Sequence, residues 1–162
     1  MRTYFVDSFT SEKFKGNPAA VCFPERDLDN DAMQKIAAEI GFSETAFIRP
    51  IAGNTYGIRF FTPKIEIPLC GHATLASSKI IFDTTSFTDL KLINCNGVEL
   101  LIEKENGKIK MQFPVYDTEP IEVPQEMATA LGISEIVNTR YNPNNKMILI
   151  EIKSSSELRN LQ

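Results

Sequence analysis

The sequence predicts an α+β fold on three observations. The first half reads as strands set around two helices, Asn106-Gly107 is a two-residue hairpin signal, and after Phe113-Pro114 the texture changes to a proline-punctuated tail. Arg2-Thr3-Tyr4-Phe5-Val6-Asp7-Ser8-Phe9 is rich in β-formers, Gly16-Asn17-Pro18 is turn chemistry, and Ala19 to Phe23 is a short apolar strand, so the chain opens on a hairpin. Asp29 or Asn30 then caps a helix whose Met33, Ile36, Ala37 and Ile40 recur at helical spacing, and Gly41 stops it. Phe42 to Arg49 and Thr55 to Phe61 read as strands. Ala73 to Phe82 has neither Pro nor Gly and many small residues, which suits a helix against which other backbone packs closely. Asp89 to Asn94, Val98 to Lys104 and Lys108 to Phe113 complete the strands, the last two joined through Asn106-Gly107. In the tail, Pro114, Pro120 and Pro124 mark a linker, and Gln125 to Leu131 reads as a short helix with Pro124 at its first turn and Gly132 just past its end. Ile133 to Arg140 and Lys146 to Lys153 read as strands, and Ser154-Ser155-Ser156-Glu157 as the cap of a last short helix. The expected division is 1–115 for a first half and 116–162 for a linker with the incomplete start of a second.

With 162 residues, 43% of them hydrophobic, the chain suffices for one sizeable core and not for two ordinary domains. The tail is therefore expected to pack on the first domain, on another chain, or to stay mobile, and Met147-Ile148-Leu149-Ile150 favours self-association. A net charge of −4 and scattered Lys and Arg exclude nucleic acid and anionic membrane surfaces as the main partner and leave a small molecule. No segment approaches the roughly 20 apolar residues of a membrane helix, and the N-terminus carries a strand pattern with no signal-peptide core, so the expected location is cytoplasmic. Cys22, Cys70 and Cys95 are odd in number and far apart, as free thiols of a reducing compartment are. One histidine and no close cysteine pair lack zinc-ligand spacing, and no metal is expected.

Chemistry concentrates at Pro68-Leu69-Cys70-Gly71-His72-Ala73-Thr74, where a thiol, a glycine and the only histidine stand at a strand-to-helix turn. A helix start leaves its first N–H groups unpartnered at the positive end of the macrodipole, so the amides of Gly71, His72, Ala73 and Thr74 favour a carboxylate or phosphate. Gly71 removes the side chain that would block a ligand's approach.

Four patterns stand together: Gly16-Asn17-Pro18-Ala19-Ala20-Val21, Ser43-Glu44-Thr45-Ala46-Phe47, Arg59-Phe60-Phe61-Thr62-Pro63 with Glu66, and Pro68 to Thr74. In that order and spacing they closely resemble the N-terminal half of the phenazine biosynthesis PhzF-like family, relatives of diaminopimelate epimerase. The resemblance implies a fold in which each of two α/β halves wraps a barrel-like sheet around a central helix, with the active site between them. It also implies isomerase chemistry in a biosynthetic setting, moving a proton on a small carboxylated substrate with no cofactor.

The resemblance assigns Glu44 as general acid/base. Pressed between Phe42 and Phe47 in a closed cleft, its carboxyl would gain the raised pKa that lets one group both accept and donate a proton; the plain alternative is an exposed glutamate at a strand start. His72 is expected to orient substrate or relay a proton, against the alternative of a helix-start residue bonding backbone. The amides of Gly71, His72, Ala73 and Thr74 are expected to grip the substrate carboxylate and stabilise an enolate-like charge. Asn17 either faces the cleft or bonds its own turn. In racemases and epimerases of the same superfamily the thiol before such a glycine abstracts a proton opposite a second thiol, and a thiolate at a helix start has a lowered pKa. Neither Cys22 nor Cys95 sits in a second copy of the motif, so Cys70 is expected to line the substrate pocket. A Cys70–His72 nucleophilic pair is not expected, because residues two apart on a helix point roughly 200° from each other. Arg59, Thr62 and Glu66 read as a strand end and loop held by polar contacts.

Relatives of this type carry an Asp-Pro-Val-Thr-Gly-Ser-Ala-like turn in their second half, and none occurs before Gln162. Two readings follow: a PhzF-like isomerase whose cleft is completed by a second copy, as a homodimer, or by a missing second half; or a truncated, catalytically silent module for small-acid binding or dimerisation.

Overall fold

Two parallel strand pairs set the course of the chain in the computed structural model, which describes residues 1–144 and 146–161. Gln162, the last residue of the expected second segment, lies outside the described residues. Contacts divide the chain into Met1–Phe113 and the residues from Pro114 onward.

The first unit opens on β1 (Arg2–Ser8) and β2 (Asn17–Phe23), an antiparallel pair as the turn chemistry predicts. Then α1 (Asn30–Ile40) forms where its caps place it: the Asp29 carboxylate accepts from Ala32 N at 2.8 Å, and Gly41 ends the helix at φ 73° with its N–H on Ala37 O. β3 (Glu44–Ala52) returns parallel to β2, and β4 (Thr55–Phe61) turns back antiparallel on β3. A two-residue strand, β5 (Glu66–Ile67), adds to β4, and α2 (Gly71–Thr84) carries the chain to β6 (Asp89–Ile93), parallel to β4. β7 (Glu99–Glu105) and β8 (Lys108–Gln112) finish the sheet as a hairpin closed by Asn106 and Gly107, both at positive φ. The strand order is β1-β2-β3-β4-β6-β7-β8.

This sheet curls around α2, which touches β1, β2 and β3 near one edge and β8 at the other. Side chains alternate along each strand, so Ala19, Val21, Ala46, Ile48, Ile58, Phe60, Leu92, Leu100 and Ile102 all turn inward onto α2. α2 can sit inside the curl because its buried residues are mostly small: Ala73, Thr74, Ala76, Ser77 and Ser78. Their hydroxyls would be costly there unpaired. Thr74, Ser77 and Ser78 each donate to the carbonyl four residues back, at 2.6, 2.7 and 2.8 Å. The other sheet face receives α1, where Met33 and Ala37 meet Cys22, Phe47 and Phe61.

The second unit holds β9 (Glu119–Pro120), α3 (Gln125–Ala130), β10 (Ile136–Asn142), β11 (Met147–Ile152) and α4 (Ser155–Arg159). Its strands lie antiparallel in the order β11-β10-β9. The serine cluster caps α4 as expected, with Ser154 Oγ accepting from Glu157 N at 3.2 Å. Buried apolar side chains among the described residues of this unit are Ala128 and Ile133. No helix among the described residues is long and apolar enough to cross a membrane.

Candidate active site

Four chain segments converge at one end of the curled sheet: the end of β1, the starts of β2 and β3, and the start of α2. Parallel pairing of β2 with β3 sets Glu44 beside Ala19, and Asn17 lies opposite Ser8 in the β1–β2 ladder. Ser8 is buried and donates its hydroxyl to His72 O at 2.7 Å, which pins the first turn of α2 to this end. Glu44 begins β3 on its α2-facing side and meets His72 directly, with Oε2 3.1 Å from Nε2. Both side chains are largely enclosed, 18% exposed for Glu44 and 10% for His72. Nε2 is buried and has no hydrogen-bond partner of good alignment, so the Glu44 contact is close without being in line with the ring N–H direction.

The enclosure differs from the expected one in a specific way. Phe47 lies three residues beyond Glu44, so strand alternation sends it to the opposite face, where it packs edge-on against Phe61 in the α1 cluster. Phe42 sets its ring edge-on to Phe5. Glu44 is therefore covered by His72 and the start of α2 and not by a pair of phenylalanines.

Cys70 departs from the helical spacing argued for it. It is the N-cap of α2, with extended φ −145° and ψ 115°, so helical angular spacing does not apply to it. Its Sγ lies 3.4 Å from His72 Nδ1, and the pair that spacing argued against is in contact. The thiol is also not acidified. Burial pushes its pKa up to about 11 and the Glu44 charge adds to the rise, outweighing the N–H groups of Ala73 and His72 that pull it down. The positive end of a helix lowers a thiol pKa only where desolvation does not win.

The amides of α2 divide. Thr74 N donates to Cys70 O at 3.1 Å and its hydroxyl bonds the same carbonyl, so Thr74 is tied into the first turn and does not offer a free donor. The donors left outside the helix ladder are Gly71, His72 and Ala73, the last two lying beside the Cys70 sulfur. A Cβ on Gly71 would meet nothing within 4 Å, so the backbone is uncrowded on that side of the turn. Asn17 is exposed at the strand start, and its side chain has no hydrogen-bond partner among the described residues.

The connection into the site is braced from three sides. Arg59 grips Glu66 through Nε and Nη2 at 2.7 and 2.6 Å, which holds the Glu66 carboxyl below its usual range and keeps β5 on β4. Gln34 Nε2 donates to Thr62 O, and the Thr62 hydroxyl closes the loop by accepting from Lys64 N and Ile65 N. Asn94, buried, donates to Pro68 O at 2.7 Å while its carbonyl accepts from Asn96 N and Val98 N. Ser8 and Asn94 were not singled out from the sequence; a polar residue at the end of an apolar strand was the only signal either gave.

Glu44, Cys70 and His72 each present one ligand-type atom, all within 4.8 Å of one another. Spacing along the chain gave no metal pattern because the carboxylate comes from a strand and the other two from a helix start 26 residues away. A groove of about 720 Å³ opens elsewhere, lined by Leu28, Met33, Phe47, Arg49, Ile58 and Arg59 on the α1 side, and none of the three reaches it. Converging titratable groups, not volume, mark the candidate site.

A family model described as phenazine biosynthesis-like protein matches residues 6–162. A phenazine biosynthesis-like domain-containing protein 2 of Mus musculus is 41% identical over 164 residues, covering 94% of this chain and 57% of its own length. An uncharacterized isomerase of Halalkalibacterium halodurans is 38% identical over 162 residues, covering 98% of this chain and 59% of its own. The crystal structure of a phenazine biosynthesis protein of the PhzF family from Enterococcus faecalis superposes with a TM-score of 0.81 at 34% identity, over 99% of this chain and 60% of that one. The chain thus spans somewhat under two thirds of the length of the relatives it matches.

Proposed function

This chain belongs to the phenazine biosynthesis-like PhzC-PhzF family, and from that membership we propose that it serves as an isomerase-type enzyme moving a proton on a small carboxylated substrate without a cofactor. The observation that carries the reading is the enclosed Glu44–His72 contact at the start of α2. A C–H next to a carboxylate gives up its proton only if the resulting enolate-like charge is stabilised and a base stands close. The Gly71 N–H outside the helix ladder and the positive end of α2 supply the first requirement, the N–H groups of His72 and Ala73 being shared with the Cys70 sulfur. Glu44 supplies the second, and as its conjugate acid returns the proton at another carbon.

His72 is the relay. With its pKa near 11, Cys70 remains a thiol at neutral pH, and its S–H has Nδ1 as acceptor. That assignment places the ring proton on Nε2, beside the Glu44 carboxylate and out of line with it, so the relay needs a small turn of the ring. Cys70 thereby fixes the tautomer of His72 and lines the pocket without acting as a base. The isomerase named among the relatives supports this reaction class.

Solvent-deuterium wash-in to a panel of small carboxylic acids, followed by mass spectrometry, tests the reading. Glu44→Gln should slow exchange by about 10²- to 10⁴-fold, the usual contribution of a positioned acid/base group. Exchange at an unchanged rate in that variant would remove Glu44 from the mechanism.

A further inference from the structure

We propose that Glu44, Cys70 and His72 bind a zinc-class divalent cation, and that the bound ion blocks proton transfer at this site. The blocking half rests on the isomerase reading; the metal site does not. The donor set is one carboxylate oxygen, one thiol sulfur and one imidazole nitrogen, mutually within 4.8 Å. In a tetrahedral zinc site with bonds of roughly 2.0 to 2.3 Å, neighbouring ligand atoms stand about 3.3 to 3.7 Å apart, so closure asks for about 1 Å of side-chain movement. With Nε2 as the ring ligand, Glu44 Oε2 is already 3.1 Å away, and the Cys70 sulfur, now against Nδ1, makes most of the closing movement from within 4.8 Å.

A second, independent observation points the same way. His72 Nε2 is a buried polar atom without a well-aligned hydrogen-bond partner, the condition of a donor or ligand whose counterpart has yet to arrive. Sulfur and imidazole select zinc-like ions over magnesium or calcium, which take six or more oxygen ligands. Three protein ligands leave a fourth position for water or another small ligand. On binding, the Cys70 S–H bond breaks and its proton passes to His72 Nδ1, the Nε2 proton leaves to solvent, and Zn–S and Zn–N bonds form in their place. The N–H groups of His72 and Ala73 beside the sulfur support the thiolate that results. The ion then holds the carboxylate and imidazole that proton transfer needs.

Cobalt(II) titration of the Cys95→Ser protein provides the test, the substitution removing the one exposed thiol. One cobalt per chain is expected, with tetrahedral absorption and a sulfur-to-cobalt charge-transfer band, both displaced by an equivalent of zinc. Cys70→Ser should abolish the charge-transfer band, and Glu44→Gln should weaken binding at least about tenfold while the far-ultraviolet circular dichroism of the fold is retained. An octahedral spectrum without the sulfur band, a band that survives Cys70→Ser, or an unchanged affinity in Glu44→Gln overturns the site. Zinc should also suppress the Glu44-dependent deuterium wash-in, and wash-in that continues with zinc bound overturns the blocking. Cobalt binding with no Glu44-dependent wash-in sinks the isomerase reading and the blocking with it but leaves the metal site, and the reverse pattern sinks the metal site and the blocking but leaves the isomerase reading.

Discussion

Residues 1–113 bury Ile58, Phe60, Leu92, Leu100 and Ile102 around a helix that the sheet encircles, whereas the described residues of the second unit bury only the apolar side chains of Ala128 and Ile133. Both units contain a sheet and helices. The difference is that the first sheet is long enough to curl and its helix is small-sided enough to lie inside the curl. β10 and β11 form an antiparallel pair whose Val137, Met147 and Leu149 stay more than half exposed. Enclosure is what gives the first unit a chemistry. Glu44, Cys70 and His72 sit where strand ends and a helix start share one rim, and no comparable rim exists among the described residues of the second.

The sharpest way to break this comparison is a matched pair of substitutions. Phe60→Ala, at a side chain with no exposure, should cost about 3 to 5 kcal/mol in urea denaturation, while Leu149→Lys on β11 should stay within about 0.5 kcal/mol. Equal costs would mean that the second unit has a core which burial does not reveal.

Thiol labelling sharpens it next, because every cysteine lies in the first unit. Cys95 should react first because it is exposed, although burial and the nearby Glu66 raise its pKa too, and buried Cys70 and Cys22 only slowly. The folded Cys70 pKa, about 11 against 9.0, has a sign that can be checked: the folded state binds the proton more tightly, so its stabilising contribution is whole below pH 9 and disappears as pH rises toward 11. Prompt labelling of Cys70 at neutral pH would show that the rim opens by itself.

A smaller effect separates two ion pairs. Arg59–Glu66, bidentate and partly buried, should lose roughly 1 kcal/mol in Glu66→Gln, a figure already discounted for solvent screening. Because Arg59 depresses the Glu66 pKa below 4.5, this contribution is present above that pH and lost as pH falls through the lower folded value. Lys153–Glu135 on the second unit is mostly exposed, and Glu135→Gln should leave the unfolding transition where it was. A loss at Glu135 as large as at Glu66 would erase the distinction.

Much of the fold was legible along the chain wherever the signal is local. Asp29 and Gly41 bound α1 because a cap carboxylate and a left-handed glycine act within a few residues, and Asn106-Gly107 closes its hairpin for the same reason. β5 and β9 escaped notice, being two residues each, too short for any alternation to show. Phe47 stands near Glu44 in sequence and away from it in space, because an odd offset along a strand reverses the face.

The residue types of the site, their order and their family were determined by the sequence itself, since a glutamate, a thiol, a glycine and a histidine in fixed local patterns need no fold to be read. Which of them touch was decided by tertiary structure alone. Parallel pairing of β2 with β3 brings Glu44 to a helix start 26 residues later, and the extended backbone of Cys70 at that start turns its sulfur onto the His72 ring. Burial then sets the thiol's protonation against the pull of the helix. Long-range pairing and desolvation are properties of the assembled core, and no window of the chain contains them.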